Sequence, residues 1–182
     1  MTPVYWTKVQ HDLLQNQCLY LAATEQGICK ITWPSENWEA FESWIYRHIP
    51  DAALLKDEQQ LEPYTTQLTE YLNGERSEFS VPLDLRGTAF QMEVWNALQQ
   101  IPYGETRSYS DIANHVGRAQ AVRAVGTANG ANPVPMLVPC HRVIGKNKNL
   151  TGFRGGLHFK EALLTLEGYH DYTRKGHARF EF

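Results

Sequence analysis

Cysteine is scarce in this sequence, three in 182 residues, at positions 18, 29 and 140. An odd number without paired spacing makes no disulfide framework. A reducing, cytoplasmic compartment is therefore the expectation. Cys18 and Cys29 fit neither CxxC nor HxxxH spacing, so no metal site is expected. Long apolar runs are also missing. The stretch GICKITWP is short and interrupted, and the segment TPVYWTKVQHD behind Met1 has no apolar centre. Neither a bilayer-spanning helix nor a secretory signal is expected from such segments. GxGxxG and Walker loops are absent, so no cofactor is implied. Internal repeats and low-complexity tracts are absent too. What the chain does have is 42% hydrophobic and 12% aromatic residues, the composition of a folded globular protein. Its length suits one large domain or two small ones.

A surplus of positive charge is missing overall, with a formal net charge of -3, but the average conceals an asymmetry. Residues 1–99 carry six Lys/Arg against fourteen Asp/Glu, whereas residues 100–161 carry eight against three. A basic segment beside an acidic one suggests that only the second meets a polyanion such as nucleic acid.

The first part of the chain reads as mixed strands and helices. VYWTKV, CLYLAAT and GICKITW have the β-branched and aromatic content of strands, with EQG as a hairpin turn between the last two. NWEAFESWIYRHI sets Trp38, Phe41, Ile45 and Ile49 at helical spacing behind Ser35 or Asn37 as cap. PYTTQLTEYLNG reads as a further helix opened by Pro63 and closed by Gly74. The extended EFSVPLDLRG then marks a boundary. We expect an N-terminal α/β domain over 1–83, structural in role, and a mainly helical C-terminal domain over 84–182.

In the second part, Thr88 caps a helix carrying Phe90, Val94, Trp95 and Leu98 on one face. Ser108 opens a short helix with Ile112, Ala113 and Val116, Gly117 breaks it, and AQAVRAVGTANGAN begins another. Two short helices joined at a glycine form a helix-turn-helix signature. The second presents the small residues Ala121, Ala124, Val125 and Ala128, which permit close approach to a packing partner or to DNA.

One short segment carries chemistry: PVPMLVPCHRVIG, Pro133 to Gly145. A free thiol titrates near 8.5 and needs help to act as a nucleophile. His141 adjoins Cys140, but neighbours in an extended chain point to opposite faces, so pairing requires a turn or a bridging water. Pro139 favours such a bend. A carboxylate behind His141 would complete a relay, and Glu167, Asp111 and Glu161 all qualify on residue type. A buried, inert thiol is the plainer reading of the same residues.

PCHRV at Pro139–Val143, with NPVP at Asn132–Pro135 before it and GFRGG at Gly152–Gly156 after it, resembles the methylated-DNA–protein-cysteine methyltransferase family. The resemblance is close from Thr88 to Glu167 and weak before residue 80, where LYLAATEQGICKI carries it. It implies a ribonuclease-H-like N-terminal sheet domain and a helix-turn-helix that enters the minor groove. It further implies that Cys140 accepts an alkyl group from O6 of guanine (with O4-alkylthymine a second substrate), that His141 acts as base through a water, and that Glu167 orients it. Asn132 would hold the active-site turn. Tyr109 would crowd the 3′ phosphate and donate to the guanine. Arg123 would replace the flipped base in the stack, with Ala124 and Ala128 against the groove. Leu150, Thr151, Gly152, Phe153 and Arg154 would wall the pocket. Phe153 departs from the tyrosine common in the family, and the metal ligands of some relatives are unmatched. The expected partner is double-stranded DNA bearing an alkylated guanine, bound by a monomer, with no membrane and no cofactor involved. A helix-turn-helix regulator with a structural cysteine is the alternative, and a multiple-turnover thiol hydrolase a third reading.

Overall fold

The computed structural model describes residues 1–150 and 156–173. The chain divides into two compact units, Met1–Arg86 and Gly87–Phe182.

The first unit is built on a four-stranded mixed sheet. β1 (Thr2–Gln10), β2 (Cys18–Thr24) and β3 (Gly27–Ile31) form an antiparallel meander. The chain then crosses through α1 (Trp38–His48) to β4 (Ala52–Lys56), which lies parallel to β1 and gives the order β3-β2-β1-β4. Asn37 accepts from the Ala40 amide and supplies the cap of α1. The helical spacing sends Phe41, Ile45 and Ile49 into one cluster with Val4, Ala22 and Cys29 of the sheet. β4 escapes the sequence reading because AALLK is too short to show a period. α2 (Glu62–Leu72) follows, with Pro63 in its first turn. The extended segment after it docks on β3: Ile28 donates to Pro82 O and Asp84 donates to Ile28 O.

The second unit is mainly helical. α3 (Ala89–Leu98) opens on a reciprocal cap, Gln91 N donating to Thr88 Oγ1 and Thr88 N to Gln91 Oε1. Val94, Trp95 and Leu98 are buried, and the Trp95 indole donates to Ala128 O at 2.8 Å. Only glycine fits at position 87, because a Cβ there would stand 2.5 Å from the Trp95 ring. β5 (Arg107–Ser108) leads into α4 (Tyr109–His115), capped by Ser108, and Gly117 turns the chain at φ +73°. α5 (Val122–Gly130) packs against α3 and α4 and completes the helix-turn-helix. Beyond it a single 3₁₀ turn, Cys140–Arg142, runs straight into β6 (Val143–Ile144), which pairs in parallel with β5. α6 (Leu157–Leu166) closes the unit against that turn. Among the described residues no helix is long and apolar enough to cross a membrane.

Candidate active site

The turn that carries Cys140 is built by its own sequence. Pro135 and Pro139 remove backbone donors and restrict φ, and Met136 between them, itself 1% exposed, sits at φ 74° in the left-handed conformation. Asn132 supplies what the prolines remove: its amide nitrogen donates to Val138 O at 2.7 Å and its oxygen accepts from Val134 N at 3.0 Å. Asn129, on the inner face of α5, donates to Cys140 O at 3.4 Å. The bend required for a Cys–His pair is present as the 3₁₀ turn, stitched by Arg142 N to Pro139 O.

Cys140 and His141 are both 0% exposed. Burial pushes the Cys140 thiol up, to about 12, against the opposing effects of the Asn132 side chain and the Lys160 charge. At neutral pH the resting group is therefore a thiol, and its proton must leave as the sulfur reacts.

Of the three carboxylates open on sequence grounds, the fold brings Glu167 to His141. Glu167 ends α6, and its Oε2 lies 2.6 Å from His141 Nε2. Asp111 closes the cap of α4 with Ser108, and Glu161 accepts from the Tyr172 hydroxyl. Burial would raise the Glu167 carboxyl, but the His141 hydrogen bond and the Arg142 guanidinium outweigh it and hold it well below the usual carboxylate range. An ionised carboxylate only accepts, so Nε2 of His141 is the donor and the imidazole lone pair belongs to Nδ1. Burial also keeps His141 below its ordinary value, beyond what Glu167 restores, so the ring is neutral near pH 7. The arrangement is a neutral base, its tautomer set by a carboxylate, in the turn of a buried thiol.

Two cations missed by the sequence reading complete the site. Arg142 donates through Nε and Nη2 to the two oxygens of Glu167 at 2.7 and 3.0 Å, and through Nη1 to Ile101 O at 2.7 Å. Lys160, fully buried two turns before Glu167 on α6, donates to Val143 O at 2.5 Å. Burial lowers the Lys160 ammonium to about 8, with Cys140 acting in the opposite direction. The signal for Lys160 was the seven-residue spacing to Glu167, which puts both on one helix face. Two of the eight cations of the basic segment therefore lie inside the site.

Tyr109, the first residue of α4, is 1% exposed. On α5, Arg123 and Ala124 are exposed. Ala128 is not: it is 2% exposed, its carbonyl held by Trp95, which corrects its grouping with the outer face of the helix. The helix turns Ala128 toward Trp95 of α3. Leu150 is 3% exposed and packs beside Ile144 and Leu164. Thr151, Gly152, Phe153 and Arg154 lie outside the described residues. Among the described residues no cluster of three His, Cys, Asp or Glu is placed to hold a metal.

Comparison with known proteins follows the division of the chain. Residues 18–85 match the family described as 6-O-methylguanine DNA methyltransferase, ribonuclease-like domain, and residues 89–169 match its DNA binding domain. A methylated-DNA–protein-cysteine methyltransferase of Bacillus subtilis, designated inducible, is 47% identical over 164 residues, 90% of each chain. The corresponding protein of Mycobacterium bovis is 60% identical over 101 residues, 56% of this chain and 61% of that one. The crystal structure of Mycobacterium tuberculosis O6-methylguanine methyltransferase superposes with a TM-score of 0.77 at 41% identity, covering 90% of this chain and 92% of that one. A complex of the M. tuberculosis protein with DNA gives 0.74 at 38% identity, covering 91% and 92%. The chain belongs to the 6-O-methylguanine DNA methyltransferase family. The sheet unit and the helix-turn-helix unit expected from the sequence are both present.

Proposed function

We propose that this chain repairs DNA by moving the alkyl group of O6-alkylguanine onto the sulfur of its own Cys140, once per molecule. The observation that carries the reading is the buried thiol in the same turn as a neutral imidazole whose tautomer an ionised carboxylate fixes. That set can take up a proton while the sulfur attacks. As the S–C bond forms, the O6–C bond breaks, the thiol proton passes to Nδ1 of His141, and the leaving guanine takes a proton. Tyr109 is the donor we assign to that last step. The product is a thioether with no hydrolysable bond, so the protein is consumed. No cofactor takes part, since the damaged base itself is the alkyl donor.

The target atom is inaccessible within a duplex, so the base leaves the stack at a cost of about a few kcal/mol. The exposed face of α5 suits that task. Small residues at Ala121 and Ala124 permit close approach in the narrow minor groove, and exposed Arg123 can enter the gap. Duplex DNA with an alkylated guanine is the partner, met by a single copy of the chain in a cytoplasmic setting.

An oligonucleotide carrying a radiolabelled O6-methylguanine tests this. Stoichiometric label on the peptide containing Cys140, and no further turnover with excess DNA, is the expected result. Label that remains on DNA while affinity ignores the lesion would favour the regulator reading instead. Repeated turnover on an ester would favour the hydrolase.

Salt dependence checks the DNA face separately. Log affinity should fall linearly with log salt, at about -0.9 per phosphate contact. Because Arg142 and Lys160 are buried, the contacts must come from exposed cations such as Arg118, Arg123, Lys146 and Lys148. Arg123→Ala should make the slope shallower, whereas a slope near zero in the parent protein would rule out this face.

A further inference from the structure

We infer that Arg142 is a positioning residue for alkyl transfer: together with the Ile101–Gly104 loop it locks the carboxylate of Glu167 in the orientation that His141 requires. The inference rests on the assignment of Cys140 and His141 as acceptor and base.

The geometry runs through six contacts. The two donors of Arg142 bond the two oxygens of Glu167 side by side, at 2.7 Å to Oε1 and 3.0 Å to Oε2. Such a fork fixes the plane of a carboxylate as well as its distance, which an ammonium cannot do. The third donor group, Nη1, is tied to Ile101 O at 2.7 Å, and the Tyr103 ring lies under the guanidinium at 5.7 Å. The guanidinium is thus anchored on the loop as well as on the carboxylate. From the same loop, Gly104 N donates to Glu167 Oε1 at 3.1 Å, and Tyr103 donates to Leu166 O at 3.3 Å. A side chain at Gly104 would be strained, since its φ is +79° and a Cβ would stand 3.1 Å from Glu167 O. The segment IPYG therefore serves the site although it contains none of the reacting groups.

Oε2 of Glu167 is the atom shared by Arg142 and His141. Rotation of the carboxylate about its own axis would carry that oxygen away from Nε2 and release the imidazole. Every other contact of Arg142 opposes that rotation. Arg142 is itself 7% exposed, too enclosed to serve the DNA surface.

Charge supplies a second handle. The charged and titratable groups around His141 are Glu167 and Lys160 on α6, Arg142 and Cys140 in the turn, and Tyr103 on the loop beneath. Glu167 favours protonation of His141, while Arg142 and Lys160 oppose it. Arg142 thus has two separable effects, orientation by its fork and charge by its cation.

Two variants separate them: Arg142→Lys keeps the charge and loses the fork, and Arg142→Gln loses both. Single-turnover methyl transfer is followed against pH on intact protein with O6-methylguanine duplex, with lesion-DNA affinity measured alongside. Arg142→Lys should bind DNA as the parent does, slow by about a hundredfold, and keep the acid limb of its pH profile. Arg142→Gln should be at least as slow, with its acid limb displaced to higher pH. Parent-like rates and profile in both variants would overturn the inference, as would a rate loss in Arg142→Gln with an unmoved limb. If the parent protein itself takes up no label on Cys140, the underlying assignment fails instead, and that outcome is read before either variant is made.

Discussion

Alanine in place of Cys140 is expected to abolish methyl transfer completely while leaving binding to lesion-bearing duplex within a few fold. The loss is total because the sulfur is the atom that ends up bonded to carbon, and no neighbouring group can replace it. Serine would fail as well, since a hydroxyl is a hard, weakly acidic nucleophile in a site that already pushes a thiol to about 12. The remaining cysteines do not substitute. Cys29 is buried in β3, its thiol donating to Ala22 O at 3.5 Å, and Cys18 begins β2. Intact-mass measurement after incubation with O6-methylguanine DNA checks the outcome: an added methyl on the Cys140→Ala protein would sink the assignment. Retained DNA affinity shows that the variant is folded, since Cys140 lies within the packed turn that links α5 to β6.

Glutamine in place of Glu167 should have the second largest effect, on both rate and stability. The amide has a single acceptor oxygen and an NH2 that only donates, so it can take one Arg142 donor but not the two-pronged fork. His141 can then take the tautomer with its lone pair on Nε2, facing away from the thiol. Loss of an orienting carboxylate behind a histidine base costs about 10⁴-fold. A buried guanidinium deprived of its counter-charge should also destabilise the fold by about 3 kcal/mol or more. Single-turnover kinetics and urea unfolding measure the two losses independently.

The pH dependence of both quantities follows from the directions of the shifts. His141 is held below its ordinary 6.5 in the folded protein, so it remains a competent base through neutral pH and methyl transfer should fall off only below that value. For stability, the unfolded chain binds a proton at this position before the folded one does. The contribution is therefore complete above 6.5 and is lost as pH falls. Glu167 has the same sign at lower pH, because its folded carboxyl lies below its ordinary 4.5: stability is complete above that value and drains away in acid. Urea unfolding of the parent protein should show both declines. In Glu167→Gln the lower one should disappear, and the acid limb of the residual activity should move further down, because Glu167 is the group that raises His141.

The division between what sequence and tertiary structure contribute is visible residue by residue. Local signals are carried by neighbours along the chain: Asn37, Thr88 and Ser108 cap the helices their positions suggest, and Gly117 turns the helix-turn-helix. The reactive segment is legible for the same reason, since Pro139, Cys140 and His141 are adjacent and their side chains state their chemistry. Composition and motif resemblance then place the chain in its family. Three-dimensional packing decides the rest. Which of three carboxylates meets His141 depends on the end of α6 arriving at a turn that lies 26 residues earlier. That Arg142 and Lys160 serve the interior rather than the DNA surface depends on burial, to which charge counting is blind. Ala124 and Ala128 share a helix and a residue type, yet one is exposed and the other rests on α3, because a helix has sides that only its neighbours define. Sequence alone determines the reacting groups of this protein, since they are set by residue identity and short-range order. The tertiary fold determines their partners, charges and orientation, since these arise from contacts between segments far apart in the chain.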